Sequence, residues 1–244
     1  MNTVKEAHYN RGIAYLETKQ YNRAVTEFEA AIKLDADFIG AHCALCRAYL
    51  EQDELEKAST LVITALKLDA AYQPAILLRE TITQAYYDSG KAYLNAERYT
   101  EAVSTFQKAL TLNADLARNS QVAAIDNKHI YAHLGATYIR LHAYQEAIEA
   151  LQNAIALDAD LVDAHYYLGY AYVEQGSYDK AIPHLEQVIA IAPHLKRAHY
   201  NLARAYRESG NLEAATDAVT ATLKLDPNYQ PAQELADLLK QGHK

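Results

Sequence analysis

Three groups of side chains in this sequence have types and spacings that could do chemistry. Cys43 and Cys46, in "CALC", have the C-x-x-C spacing of a redox dithiol or of half a zinc site. His8, His42, His165 and His199 each follow an alanine in a nearly identical nine-residue phrase, which raises the idea of a ladder of metal ligands. Asp35 with Asp37, and Asp158 with Asp160, are the paired carboxylates of general acid–base work. What any of them can do depends on the elements that carry them.

Those elements repeat. "AHYNRGIAY" at Ala7–Tyr15 returns as "AHCALCRAY" at Ala41–Tyr49, "AHYYLGYAY" at Ala164–Tyr172 and "AHYNLARAY" at Ala198–Tyr206. Aligned on this phrase, units begin at Lys5, Ile39, Thr83, Lys128, Val162 and Lys196, with three spacings of 34 residues and two of 44 and 45. The eighth position is small: Gly12, Cys46, Gly90, Gly135, Gly169 or Ala203. The eleventh is always tyrosine (15, 49, 93, 138, 172, 206) and the twentieth always alanine (24, 58, 102, 147, 181, 215). An apolar residue follows at the twenty-fourth, from Phe28 to Val219, and a small or β-branched one at the twenty-seventh. Apolar and small residues recur every three or four positions, so each unit reads as two amphipathic helices. No stretch alternates as a half-buried strand would. Small residues at the eighth and twentieth positions let two helices approach closely, and one such hairpin must stack on a neighbour to bury its apolar face. The spacing predicts about fourteen helices, with the six tyrosines mostly buried.

This frame gives each candidate a plainer role. The cysteines lie inside a repeat helix, Cys46 fills the small-residue slot, and His42 alone is adjacent, too few ligands for zinc. The histidines sit one unit apart, and helices are about 10 Å across, so their rings cannot share an ion. The aspartates occupy the turn between units, where aspartate ends helices. HExxH, GxSxG, phosphate-loop and EF-hand patterns are all missing. An enzyme is not expected, and no cofactor or metal is called for.

The recurring pattern resembles the tetratricopeptide repeat family, whose motif W-x2-L-G-x2-Y…A-x3-F…P has a period of 34. The resemblance covers six units from Lys5 to Tyr229. His8, His42, Tyr86, Tyr131, His165 and His199 stand in place of the tryptophan, and proline survives only at Pro193 and Pro227. The resemblance implies an all-α, right-handed solenoid of six helical hairpins with a C-terminal capping helix, forming one domain over residues 1–244. It also implies a concave groove lined by the second, fifth, sixth, ninth, twelfth and thirteenth positions of each first helix. Those positions, with their neighbours, give Tyr9, Arg47, Tyr87, Lys91, Tyr166, Tyr170, Arg197, Tyr200, Asn201, Arg204 and Arg207, rich in the types that anchor protein partners. The sixth unit collects Arg197, Arg204 and Arg207 beside Tyr200, which suits a carboxylate-bearing peptide or an acidic helix. Chaperone-docking members of the family grip a C-terminal carboxylate with a particular Lys/Asn/Arg set; here Tyr9, Ile13, Ala44, Gln84 and Asp88 stand at those positions, so that activity is not expected.

Two inserts interrupt the period, 73–82 and 117–127. The first begins "QP" and reads as an N-terminal extension of the next helix, to about Pro74–Asn95; Leu77, Leu78 and Ile82 would then form an apolar stripe. In the second, Asn119 or Ser120 could cap a helix, or "DN" could break it. "KLDPNYQPA" at 224–232 echoes "KLDAAYQPA" at 67–75, so residues 230–241 read as one more helix, and "GHK" at the end reads either as the start of a seventh unit or as a frayed tail after a capping helix. A formal net charge of −8 argues against a general nucleic-acid or membrane-surface binder. With two cysteines, no apolar leader and no membrane-length apolar run, the chain is expected to be cytoplasmic. The expected function is a non-enzymatic scaffold or assembly adaptor that binds a protein or peptide in its groove. The alternatives are an accessory region of a larger enzyme and a self-associating structural protein.

Overall fold

A computed structural model describes residues 2–114 and 127–242. Among the described residues it contains thirteen helices and no strand. They are α1 (Asn2–Glu17), α2 (Tyr21–Leu34), α3 (Ile39–Leu50), α4 (Leu55–Leu68), α5 (Gln73–Asn95), α6 (Tyr99–Ala114), α7 (Asn127–Arg140), α8 (Tyr144–Leu157), α9 (Val162–Glu174), α10 (Tyr178–Ile191), α11 (Lys196–Glu208), α12 (Leu212–Leu225) and α13 (Gln230–Gly242). Each odd-numbered helix up to α11 packs most extensively on the helix that follows it, and α13 packs on α12. The chain divides into two compact units, Met1–Asp126 and Asn127–Lys244. The first holds α1–α6 and the second α7–α13.

The repeated letters explain the packing. All six alanines of the twentieth position are fully buried where the two helices of a hairpin cross. The residue four further on is buried too, and it lies directly over the eighth position. A Cβ built on Gly12 or Gly90 would stand 2.5 Å from the ring of Phe28 or Phe106, and on Gly135 2.5 Å from Leu151 Cγ. Gly169 faces Leu185 in the same way. Where the eighth residue carries a side chain, Cys46 or Ala203, the opposing one shrinks to Val62 or Val219. Close packing tolerates little change in volume, so the two positions trade bulk. Cys46 belongs to this scheme: its Sγ lies 3.3 Å from the Ala58 carbonyl, to which the thiol donates.

Turns repeat as well. Every helix-to-helix turn inside a hairpin places its fifteenth residue in the left-handed region, and only two are glycine: Gly176 (φ 79°) and Gly210 (φ 89°). Lys19, Asp53, Glu97 and His142 adopt φ of 57–60° at the equivalent places. In four of the six units the turn to the next helix is built on an aspartate at the thirty-first position, Asp35, Asp69, Asp158 or Asp226. Asp35, Asp158 and Asp226 each accept the N–H two residues on, at 3.1 Å. Each also receives the lysine that opens its unit: Lys5 to Asp35, Lys128 to Asp158 at 3.0 Å and Lys196 to Asp226 at 2.5 Å. The first aspartate of "DAD" is thus a turn-builder with a lysine partner.

The eleventh-position tyrosines depart from the sequence expectation. Only Tyr172 is buried; the other five are half-buried. For Tyr49 and Tyr206 the reason is the phenol, which reaches a carboxylate at the rim. Tyr49 donates to Glu29 at 3.3 Å and Tyr206 to Glu186 at 2.5 Å, while Gln152 Nε2 donates to the Tyr172 oxygen at 3.2 Å. Each partner is twenty residues earlier, at the twenty-fifth position of the preceding hairpin. The ring packs inward and its hydroxyl reaches the rim to tie one hairpin to the last. Burial and Glu186 together push the Tyr206 hydroxyl up to about 12.

α5 is the long helix, with 23 residues and proline in its first turn. Ala75, Ile76, Leu78, Arg79 and Ile82 on its added turns are buried, and Leu77 is exposed. The expected apolar stripe is therefore mostly covered. Asn119 and Ser120 in the second insert, and His243 with Lys244 at the end, lie outside the described residues.

Candidate protein-binding face

Within each unit the first helices touch one another: α1 with α3 and α3 with α5; α7 with α9, α9 with α11 and α11 with α13. Among the described residues no two second helices approach to a comparable extent. The first helices therefore form the tighter, inner layer, and the second helices splay outside it. Residues of the first helices turned away from their partners front this inner side.

In the first unit, Tyr9 packs its ring against Phe28 (centroids 6.0 Å apart) and Phe38 (5.1 Å). Arg47 is exposed and lines a cleft of about 230 Å³ with Ile13, Glu17, Tyr21 and Glu51. Tyr21 donates to Glu51 at 3.1 Å across that cleft. Lys91 Nζ sits 4.5 Å from the centroid of the Tyr87 ring and 2.8 Å from Asp88, whose carboxylate holds the lysine above its usual range. Tyr87 also packs on Phe106 at 6.1 Å. These residues form local contacts rather than one row of free side chains.

The second unit concentrates its tyrosines. Tyr166 and Tyr167 meet edge to face at 5.2 Å, and Tyr200 meets Tyr229 in the same manner at 5.4 Å. Burial pushes the Tyr166 hydroxyl up to about 12, and the nearby Arg197 opposes this. Burial raises Tyr170 and Tyr200 as well, with Arg204 opposing both. Tyr167 and Tyr229 were not singled out in the sequence. Tyr167 at the sixth position of its unit offered a signal; Tyr229, in the turn before α13, offered none before its ring partner was seen.

The arginine cluster separates into three roles. Arg204 Nη1 lies 2.7 Å from Glu174 on the preceding first helix and 3.5 Å from Asn201 Oδ1, and Asn201 is buried. Arg207 Nε donates to its neighbour Glu208 at 2.9 Å. Arg197 is exposed and makes no ion pair among the described residues. Of the three, Arg197 is the one without a carboxylate partner among the described residues.

The other candidates are structural in this setting. Both cysteines are buried and free, and burial pushes Cys43 up to about 11 and Cys46 to about 12, so neither is a ready thiolate. Three of the four histidines lie against the carbonyl six residues earlier: His42 at 2.8 Å, His165 at 2.9 Å and His199 at 2.9 Å, in each case through Nε2. A carbonyl only accepts, so Nε2 carries the proton. His8 instead meets Glu27 at 2.7 Å. Among the described residues no three His, Cys, Asp or Glu side chains are grouped to hold a metal ion. No described helix is long and apolar enough to cross a membrane.

Models of the tetratricopeptide repeat match residues 5–38, 83–116 and 172–239, and a TPR repeat model matches 135–176. No curated protein matches the chain in sequence. Its fold is similar to that of YrrB, described as a TPR protein with an unusual peptide-binding site (24% identity, TM-score 0.53, covering 85% of this chain and 96% of YrrB). It is similar also to MamA, residues 41 to the end, from Desulfovibrio magneticus RS-1 (22%, 0.57, 66% and 85%). PilF of Pseudomonas aeruginosa matches over the whole length (16%, 0.52, 100% and 99%).

Proposed function

This chain belongs to the tetratricopeptide repeat family, and from that premise we propose that it is a non-enzymatic scaffold that holds a polypeptide segment against the inner face of α9 and α11. The carrying observation is the company Arg197 keeps. It is an exposed cation with no ion pair among the described residues, set beside Tyr166 and within one turn of Tyr200. Tyrosine rings offer wide, stiff contact surfaces, and a guanidinium offers a fork for a carboxylate. An extended segment carrying an acidic side chain suits both. The peptide-binding site named for YrrB supports the reading by analogy of fold alone.

The test is selection of binders from a random peptide library on the immobilised chain, followed by affinity measurement against Arg197→Glu combined with Tyr200→Ala. Selected peptides should contain Asp or Glu, and the double variant should bind them at least tenfold more weakly while keeping the wild-type circular dichroism spectrum. A variant that binds them as tightly as wild type removes this face from consideration.

A further inference from the structure

Arg79 is the most anomalous polar group in the molecule. It lies on the turns added to α5, a stretch that has no counterpart in the 34-residue units. The residue is 3% exposed, between buried Ala75 and Ile76 on one side and Ile82 and Thr83 on the other. Its Nε and Nη2 are shut off from solvent and have no hydrogen-bond acceptor among the described residues. The carboxylate of the adjacent Glu80 comes only to 3.8 Å of Nη2, beyond hydrogen-bond reach, and its own side chain is 32% exposed. One turn on, the buried Thr83 hydroxyl is already committed, donating to Asn113 Oδ1 at 3.1 Å.

A buried ion normally has a partner, because removing an unpaired charge from water costs several kcal/mol. A guanidinium cannot evade that cost by losing its proton. The two unused groups also share one edge. Nε–H and Nη2–H project side by side, the geometry that fits the two oxygens of a single carboxylate. The apolar residues on either side favour a flat carboxylate group over a more strongly hydrated phosphate.

We propose that Arg79 anchors a carboxylate-binding site on the lengthened helix, with both oxygens of a ligand's carboxylate accepting from Nε and Nη2. The ligand displaces the loosely held Glu80. This site is separate from the tyrosine face of α9 and α11 and does not depend on it. Its carboxylate comes from one of two sources, a free small acid or an acidic side chain of a bound polypeptide.

The experiment uses the full chain as wild type, Arg79→Met and Arg79→Lys. Thermal unfolding is followed in succinate against sodium chloride of equal ionic strength, and a fluorescein-labelled pentaglutamate peptide is titrated by anisotropy. Wild type should melt about 2–4 °C higher in saturating succinate, or bind the peptide saturably. Arg79→Met should lose that response, and Arg79→Lys, which keeps the charge without the fork, should weaken it at least tenfold. A response to succinate alone identifies the free acid, and a response to the peptide alone identifies the polypeptide. If neither probe acts on wild type, or if Arg79→Lys responds as wild type does, the proposal fails. The lysine comparison stands even where the methionine variant does not fold.

Discussion

His184 shows how much a single ring can depend on its neighbour. Its Nδ1 lies 2.9 Å from Nδ1 of His165. Because His165 spends its Nε2 proton on the Ala159 carbonyl, its Nδ1 accepts, and His184 must donate. Burial, with His165 beside it, pushes His184 below the usual 6.5. The folded state therefore resists taking a proton that the unfolded state takes readily. Its contribution is whole above pH 6.5 and is lost as pH falls through the lower folded value. Melting curves at pH 7.5, 6.0 and 5.0 should fall for wild type, and His184→Gln should fall less, since the glutamine amide donates to His165 without titrating; parallel falls would exclude this pair as the cause. The sequence placed His165 in an aromatic slot, and the structure finds it packed there. It could not show the Ala159 carbonyl, which needs the turn, or His184, nineteen residues away across the hairpin. The cysteines were legible for the opposite reason: Cys46 stands where other units have glycine, and position alone gave its role.

At the scale of the element, the fifteenth-position turn carries a local conflict. A left-handed backbone costs a residue with a Cβ about 1 kcal/mol, and glycine avoids it. Glu97, at φ 59°, is exposed and its side chain makes no hydrogen bond or ion pair among the described residues, so it is a clean site for the change. Glu97→Gly should raise the stability by about 0.5–1 kcal/mol, measured by urea denaturation at constant m; a loss would mean that the unfolded chain's gain in freedom outweighs the relief. Gly176 and Gly210 advertised this turn in the sequence, whereas Lys19, Asp53, Glu97 and His142 concealed it. The helices themselves were legible because volume and periodicity repeat in register. The tyrosine hydroxyls were not, since their partners lie on the preceding hairpin and the letters at position twenty-five, Glu29, Gln152 and Glu186, look like ordinary solvent-facing residues. Arg79 was hidden in the same way: an arginine inside an insert gives no hint that its fork is buried.

For the whole molecule, the useful fact is that each compact unit holds a buried cluster of its own. One buried cluster runs from Leu16 to Ala48, and another from Ala132 to Leu239, wholly inside the second unit. In a stacked array each hairpin leans only on its neighbours. Residues 127–244 made alone should therefore give a helical spectrum and a cooperative melt; a non-cooperative, largely unfolded fragment would show that this unit needs residues 1–126. The architecture was readable at this scale because six copies average out local noise. The proposed binding face was only half readable: tyrosine and arginine types could be listed, but which arginine is already paired depends on Glu174 and Glu208, and that is a matter of distance. The exchange of bulk between the eighth and twenty-fourth positions also bears on ancestry. Joining α1 to α4 would set Gly12 against Val62 and leave a hole where a ring belongs, while joining α3 to α2 would drive the Cys46 sulfur into Phe28. Crossovers inside a hairpin that mismatch this pair should thus be selected against, whereas those in the inter-unit turns keep every pair intact. Arrays of this kind should grow and shrink by whole hairpins, with breakpoints at the inter-unit turns.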